Sequence, residues 1–232
     1  MKKLLSLSVA SLALVAVAGQ FSPQIGVQSF TATTNSVLLP VKFNSLSESA
    51  ISAKELVCTN NLDIGTSLYV FQNGAYTSWV LDASGWTAAA RVSDTELSPA
   101  APDPAQKLVT GSAIWITPVN GKTFSIYGKV IESKTSTIER QKTNLLANPT
   151  GATVSGSALA TKLAGVVQAK DKISLIGDSF AGNYVYNGES WTYINGTTVM
   201  TVETLPDLAA NQGFWYVSKS ALAEGKSNTI QW

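Results

Sequence analysis

The alternation of apolar and polar positions divides the chain into short strand-like runs. Ile114-Trp115-Ile116 and Phe214-Trp215-Tyr216 are β-branched or aromatic runs bounded by turn formers, the pattern of half-buried strands. Asn73-Gly74 and Asn187-Gly188 each interrupt an aromatic-rich alternation and predict hairpin turns. Gly111 and Asn211 precede the two aromatic runs, and both residue types tolerate a left-handed backbone. Pro118, Pro149 and Pro206 fall between apolar runs, where proline costs no ladder hydrogen bond. Helical spacing occurs at 45–56 and 157–167, which predicts one short helix in each half. The pattern predicts an all-β protein.

The chain also repeats itself. Residues 108–116, ending in Ala113-Ile114-Trp115-Ile116, align with 208–216, ending in Gly213-Phe214-Trp215-Tyr216. Outside this match, Gly121-Lys122 pairs with Gly225-Lys226, and Trp86-Thr87 with Trp191-Thr192. Val37-Leu38-Leu39-Pro40 is set against Leu146-Ala147-Asn148-Pro149. The expectation is two tandem small β-sandwich or barrel-like modules, 35–131 and 144–232, each with at most one short helix. They should share strand order, with Trp86 over Trp191 and Trp115 over Trp215. On this reading 132–143 is a linker or exposed edge strand, 94–107 a long proline-rich loop, and 19–34 a flexible N-terminal stretch.

In the second half, Asn144-Leu145-Leu146-Ala147-Asn148-Pro149 comes first. Tyr184-Val185-Tyr186-Asn187-Gly188-Glu189-Ser190-Trp191 and Gln212-Gly213-Phe214-Trp215-Tyr216-Val217 then follow in order. This order resembles a module of secreted and surface proteins of Gram-negative bacteria, built around N-L-[IL]-x-N-P, Y-x-[WY]-N-G-x-[SG]-W and G-x-G-F-W-V. The resemblance spans 144–232 and, in degenerate form, 35–128, where the Asn-Pro pair is missing and Ala113 stands for the glycine. It implies a shared β-fold at the cell envelope and no catalytic residues.

The N-terminus carries its own pattern. Lys2 and Lys3 precede an apolar run over 4–17, and Ala16-Val17-Ala18 has the small-residue form of a cleavage site. Residues 1–18 are therefore expected to be a signal peptide, too short in their apolar part to cross a membrane, which needs about 20 residues. No later segment is apolar enough to span a membrane as a helix. The chain is expected to be exported to the periplasm, the cell surface or the medium.

Composition narrows the chemistry. Charged residues make up 13% of the 232 residues and the net charge is +1, without a basic tract that would attract nucleic acid. Histidine is absent, which excludes Ser/His/Asp and Cys/His catalysis and imidazole-bound zinc. The single cysteine, Cys58, permits no internal disulfide and reads as a buried thiol. Asp63, Asp82, Asp171 and Asp178 are the acid–base candidates, and their places at strand ends read as turn chemistry. No cofactor or metal is expected.

Six tryptophans remain. Trp86, Trp115, Trp191 and Trp215 occur in both halves and read as scaffold, each filling the core of its own module. Trp79 and Trp232 are unpaired, as are Tyr76 and Tyr193, so these four are the candidate ligand or partner contacts. The sequence thus points to a non-catalytic exported protein, structural or adhesive, whose partners are envelope proteins or glycans. The alternative is a carbohydrate-binding module using exposed aromatics. Trp79 and Trp232 discriminate: burial favours the structural role, and exposure on one concave face favours sugar.

Overall fold

The computed structural model describes residues 25–32, 37–41, 43–44, 51–52, 62–72, 75–91, 97–99, 107–108, 112–130, 135–176, 182–210 and 212–232. The expected signal peptide over 1–18, Cys58, Asp178, the expected Asn73-Gly74 turn and the Gly111 and Asn211 positions lie outside the described residues. The protein is mostly β, arranged in several antiparallel sheets, with one helix among the described residues.

Strands of the first half are β1 (Ile25–Ala32), β2 (Val37–Pro40), β3 (Phe43–Asn44), β4 (Ile51–Ser52), β5 (Ser67–Gln72) and β6 (Ala75–Asp82). They continue with β7 (Gly85–Arg91), β8 (Leu97–Pro99), β9 (Lys107–Leu108), β10 (Ala113–Thr117) and β11 (Lys122–Val130). Six of them form a sheet in the order β2-β10-β5-β6-β7-β8, three form β1-β11-β3, and β4 pairs with β9. Alternation places Leu68, Val70, Trp79, Leu81, Trp86, Ile114 and Ile116 on one face of the large sheet. There they are buried together with Ile126 of β11.

The second half contains β12 (Thr135–Thr137), β13 (Thr143–Ala147), α1 (Gly156–Ala164), β14 (Lys172–Leu175) and β15 (Asn183–Tyr186). After them come β16 (Trp191–Asn195), β17 (Thr198–Val202), β18 (Gly213–Val217) and β19 (Thr229–Gln231). Its large sheet runs β13-β18-β14-β15-β16-β17, and β12 pairs with β19. Helix α1 begins where Ser155 accepts the Ala158 amide, and it buries Leu159 and Leu163 against the sheet. Ile173, Leu175, Trp191, Phe214 and Tyr216 supply the sheet's side of this core, and Ile230 of β19 closes it.

Taken in chain order, both large sheets have the same arrangement: first strand, last, second, third, fourth, fifth. The registers agree as well. Trp115 lies opposite Leu38 and Tyr69, and Trp215 lies opposite Leu145 and Ser174. Trp86 faces Leu81, and Trp191 faces Tyr186. One alignment shifts: Leu38 corresponds to Leu145 and Pro40 to Ala147, two residues away from the expected match of Pro40 with Pro149. Prolines drew that alignment, whereas the ladder follows the apolar face, and a slip of two residues preserves the face.

Four boundaries also differ from expectation. Within 19–34, β1 pairs along its whole length with β11, from Ile25 opposite Lys129 to Ala32 opposite Lys122. Apolar and polar residues mix on its exposed face, where Val27 is followed by Ser29 and Thr31, so hydrophobic alternation did not mark it. Within 132–143, β12 pairs with β19, so of the two expectations the edge strand holds and the linker does not, and with Ile138 fully buried this stretch packs into the second half. Within 45–56, Ile51–Ser52 is a strand because long-range pairing with Lys107–Leu108 overrides weak local helix propensity. The proline-rich loop holds β8, paired with β7, and the start of β9.

The faces of the two large sheets that point away from their cores meet each other. Leu38, Phe71, Ala113 and Trp115 from the first pack with Leu145, Ala147, Ile176 and Trp215 from the second. Most of these residues occupy matching register positions, such as Leu38 with Leu145 and Trp115 with Trp215, so the seam joins like to like. Ser112 also bridges to Leu146 across it.

Candidate functional site

The four candidate aromatics are not brought together. Trp79 is 1% exposed in the first core, between Leu68 and Ala88 on the neighbouring strands, and cannot contact a ligand. This corrects the expectation for Trp79. Its unpaired status has a simple origin, since Tyr184 holds the matching place in the second sheet. Trp232 is half-buried against Phe214, with ring centres 6.1 Å apart, and its indole N–H donates to Ser136 Oγ at 2.6 Å. Tyr193 is half-buried, its ring 5.2 Å from that of Tyr184. Only Tyr76 is largely exposed, at 54%.

Tyr76 sits at the seam. Phe71 contacts it edge-on at 4.9 Å and also meets Trp215 at 5.0 Å with the rings perpendicular. Tyr76 itself lies 6.5 Å from Trp215. Partial burial pushes its phenol above the ordinary value. Trp115 and Trp215 therefore do not fill the cores of their own halves, as the repeat suggested; Trp86 and Trp191 do. The residue at the head of β18 explains the glycine of the G-F-W motif. A Cβ on Gly213 would fall 1.6 Å from Leu38 Cδ2, so glycine admits the opposite half's leucine.

The acid candidates act as local anchors. Asp82 accepts from Ser84 N–H at 2.7 Å, Ser84 Oγ and Thr87 Oγ1 in the β6–β7 turn, and these bonds hold its carboxyl below the usual range. Asp63 accepts from Asn120 Nδ2 at 2.9 Å and lies 3.5 Å from Lys122 Nζ, and its carboxyl is likewise lowered, chiefly by Asn120. Among the described residues no three His, Cys, Asp or Glu side chains could hold a metal ion.

Asp171 is different, because it is wholly buried. It accepts from Tyr216 Oη at 2.5 Å, Lys219 N–H at 2.9 Å, Gln168 N–H at 3.0 Å and Arg140 Nη1 at 3.3 Å. Arg140 then donates through Nη2 to the carbonyls of Val166 and Ser227. One ion pair thus ties the end of α1, β14, β18 and the approach to β19 together. Burial, then the hydrogen bond and charge of Asp171, push the Tyr216 phenol far above its ordinary value. The sequence reading missed this anchor because it placed Arg140 in a linker.

The asparagines of the N-L-L-A-N-P motif are anchors too. Asn148 is fully buried, donating to the carbonyls of Ala152, Leu208 and Ala209 and accepting from Thr150. Asn144 closes a loop through Glu139 N–H and the carbonyls of Glu139, Lys142 and Tyr216. The first half replaces Asn144 with Val37 and Asn148 with the buried Val41. No known protein family, curated protein or solved structure matches the chain. No helix among the described residues is long and apolar enough to cross a membrane.

Proposed function

We propose that this is an exported, non-catalytic protein built from two copies of one β-sandwich-like module. It serves a structural or adhesive role in the periplasm or at the cell surface, in association with the outer membrane and its proteins. The observation that carries the reading is what the aromatic side chains do. Trp79, Trp86 and Trp191 fill cores, Trp232 is bonded to Ser136, and Trp115 and Trp215 join the two sheets. Asp171, the buried carboxylate, is engaged by four donors and so acts as a scaffold group. Matching strand order and register support the two-copy origin.

Cell fractionation with N-terminal sequencing tests the location: the mature chain is expected outside the inner membrane, beginning at Gly19. Cytoplasmic recovery of the uncleaved chain would overturn it. The exposure of Tyr76 beside Phe71 and Trp215 favours a second reading, glycan binding by an aromatic ledge. A glycan array decides between them. The structural reading expects no binding, whereas binding lost in Tyr76→Ala would establish the second.

A further inference from the structure

We propose that β17 (Thr198–Val202) is a pairing edge at which a second copy of this chain adds its own β17, antiparallel, joining two large sheets into one. This interface is separate from the reading above and does not rest on it. Among the described residues β17 is the terminal strand of its sheet, hydrogen-bonded to β16 on one side only. An edge strand offers unpaired amides and carbonyls, and proteins ordinarily protect such edges with charge, proline, bulges or very short strands.

β17 has none of these protections. Its sequence, Thr-Val-Met-Thr-Val, holds no charge and no proline, and it pairs without a bulge along all five residues. Val199 and Met200 project on opposite faces of the strand at 63% and 50% exposure. The corresponding strand of the first half provides the contrast. β8 ends its sheet with three residues, and Pro99 among them has no amide hydrogen to donate. At the other margin of the second sheet, β13 already meets the first half through the Ser112–Leu146 bridge. Of the outer strands of that sheet, β17 is the one left open among the described residues.

The occupant follows from the composition of the strand. A two-fold axis at Met200 places Met200 against Met200, Val199 against Thr201 and Thr198 against Val202. Every pair is then apolar or β-branched, which favours cross-strand packing, and no like charges face each other. Glu203, the first charged residue beyond β17, falls opposite Thr197, so the two copies' carboxylates lie at opposite ends of the joint. The interface is isologous and closes at a dimer.

Sedimentation of the mature chain over a range of concentrations tests this. The wild type is expected to dimerise reversibly. Met200→Lys and Met200→Glu each place like charges across the axis and should weaken self-association at least tenfold. An equimolar mixture of the two should restore it, because opposite charges then meet. Unchanged circular dichroism of each variant checks the fold, since Met200 lies outside the core. A wild type that stays monomeric overturns the proposal, including one that instead binds extended peptides of other proteins. Dimerisation equally strong in both variants also overturns it.

Discussion

The Asp171–Arg140 pair shows how one buried charge organises several segments. A carboxylate without solvent needs donors, and it has four, one of them a guanidinium that is itself almost buried. Asp171→Asn leaves Arg140 uncompensated and should cost about 3–5 kcal/mol in urea unfolding, the usual penalty for breaking a buried pair. Tyr216 adds a pH dependence of definite sign. In the unfolded chain a tyrosine releases its proton near pH 10, whereas the buried phenol retains it well beyond. The folded state then binds more protons than the unfolded one from about pH 10 upward, so this stabilisation falls as pH rises. Stability measured across that range should decline more steeply in the wild type than in Tyr216→Phe. Equal slopes would remove Tyr216 from the account. Asp171 was visible in the sequence only as a strand-end acid, because its partners are 31 and 45 residues away.

At the scale of elements, the Asn187-Gly188 hairpin and the aromatic strands were legible and the boundaries were not. Asn187-Gly188 does form the β15–β16 turn: Asn187 Oδ1 accepts the amides of Glu189 and Ser190, and Gly188 adopts φ +115°. Gly188→Ala should therefore cost about 1–3 kcal/mol, measured by thermal unfolding. Strand β1 escaped because its outward face is mixed: Ser29 and Thr31 meet Ser125 and Thr123 across the ladder, while Val27 on the same face lies exposed opposite Tyr127. Local pattern marks a strand when one face is apolar and the other polar, and this strand's faces are not separated in that way. The tryptophans divide for a related reason: period-two alternation tells that two residues share a face, never which face is the core. Trp191→Ala, in the core, should cost about 3–5 kcal/mol. Trp215→Ala, at the seam, should cost less and leave the near-ultraviolet signature of the second core in place.

Across the whole molecule, two sheets of like topology each bury one face in their own core and present the other to the partner sheet. The likeness of the two aromatic runs, Ile114-Trp115-Ile116 and Phe214-Trp215-Tyr216, led to the expectation of a shared strand order, and the two sheets have it. That likeness could not reveal that the halves meet, since Trp115 and Trp215, which it matched, were read as core residues and Phe71 and Ile176 were not matched at all. The seam is the central structural claim, and its contact between Phe71 and Trp215 is its most specific element. A double-mutant cycle with Phe71→Ala and Trp215→Ala measures that contact directly through unfolding free energies. Perpendicular rings at this distance predict a coupling of about 0.5–1.5 kcal/mol. Free energies that add to within about 0.3 kcal/mol, as for residues that do not touch, would contradict the joining of the two sheets through this face.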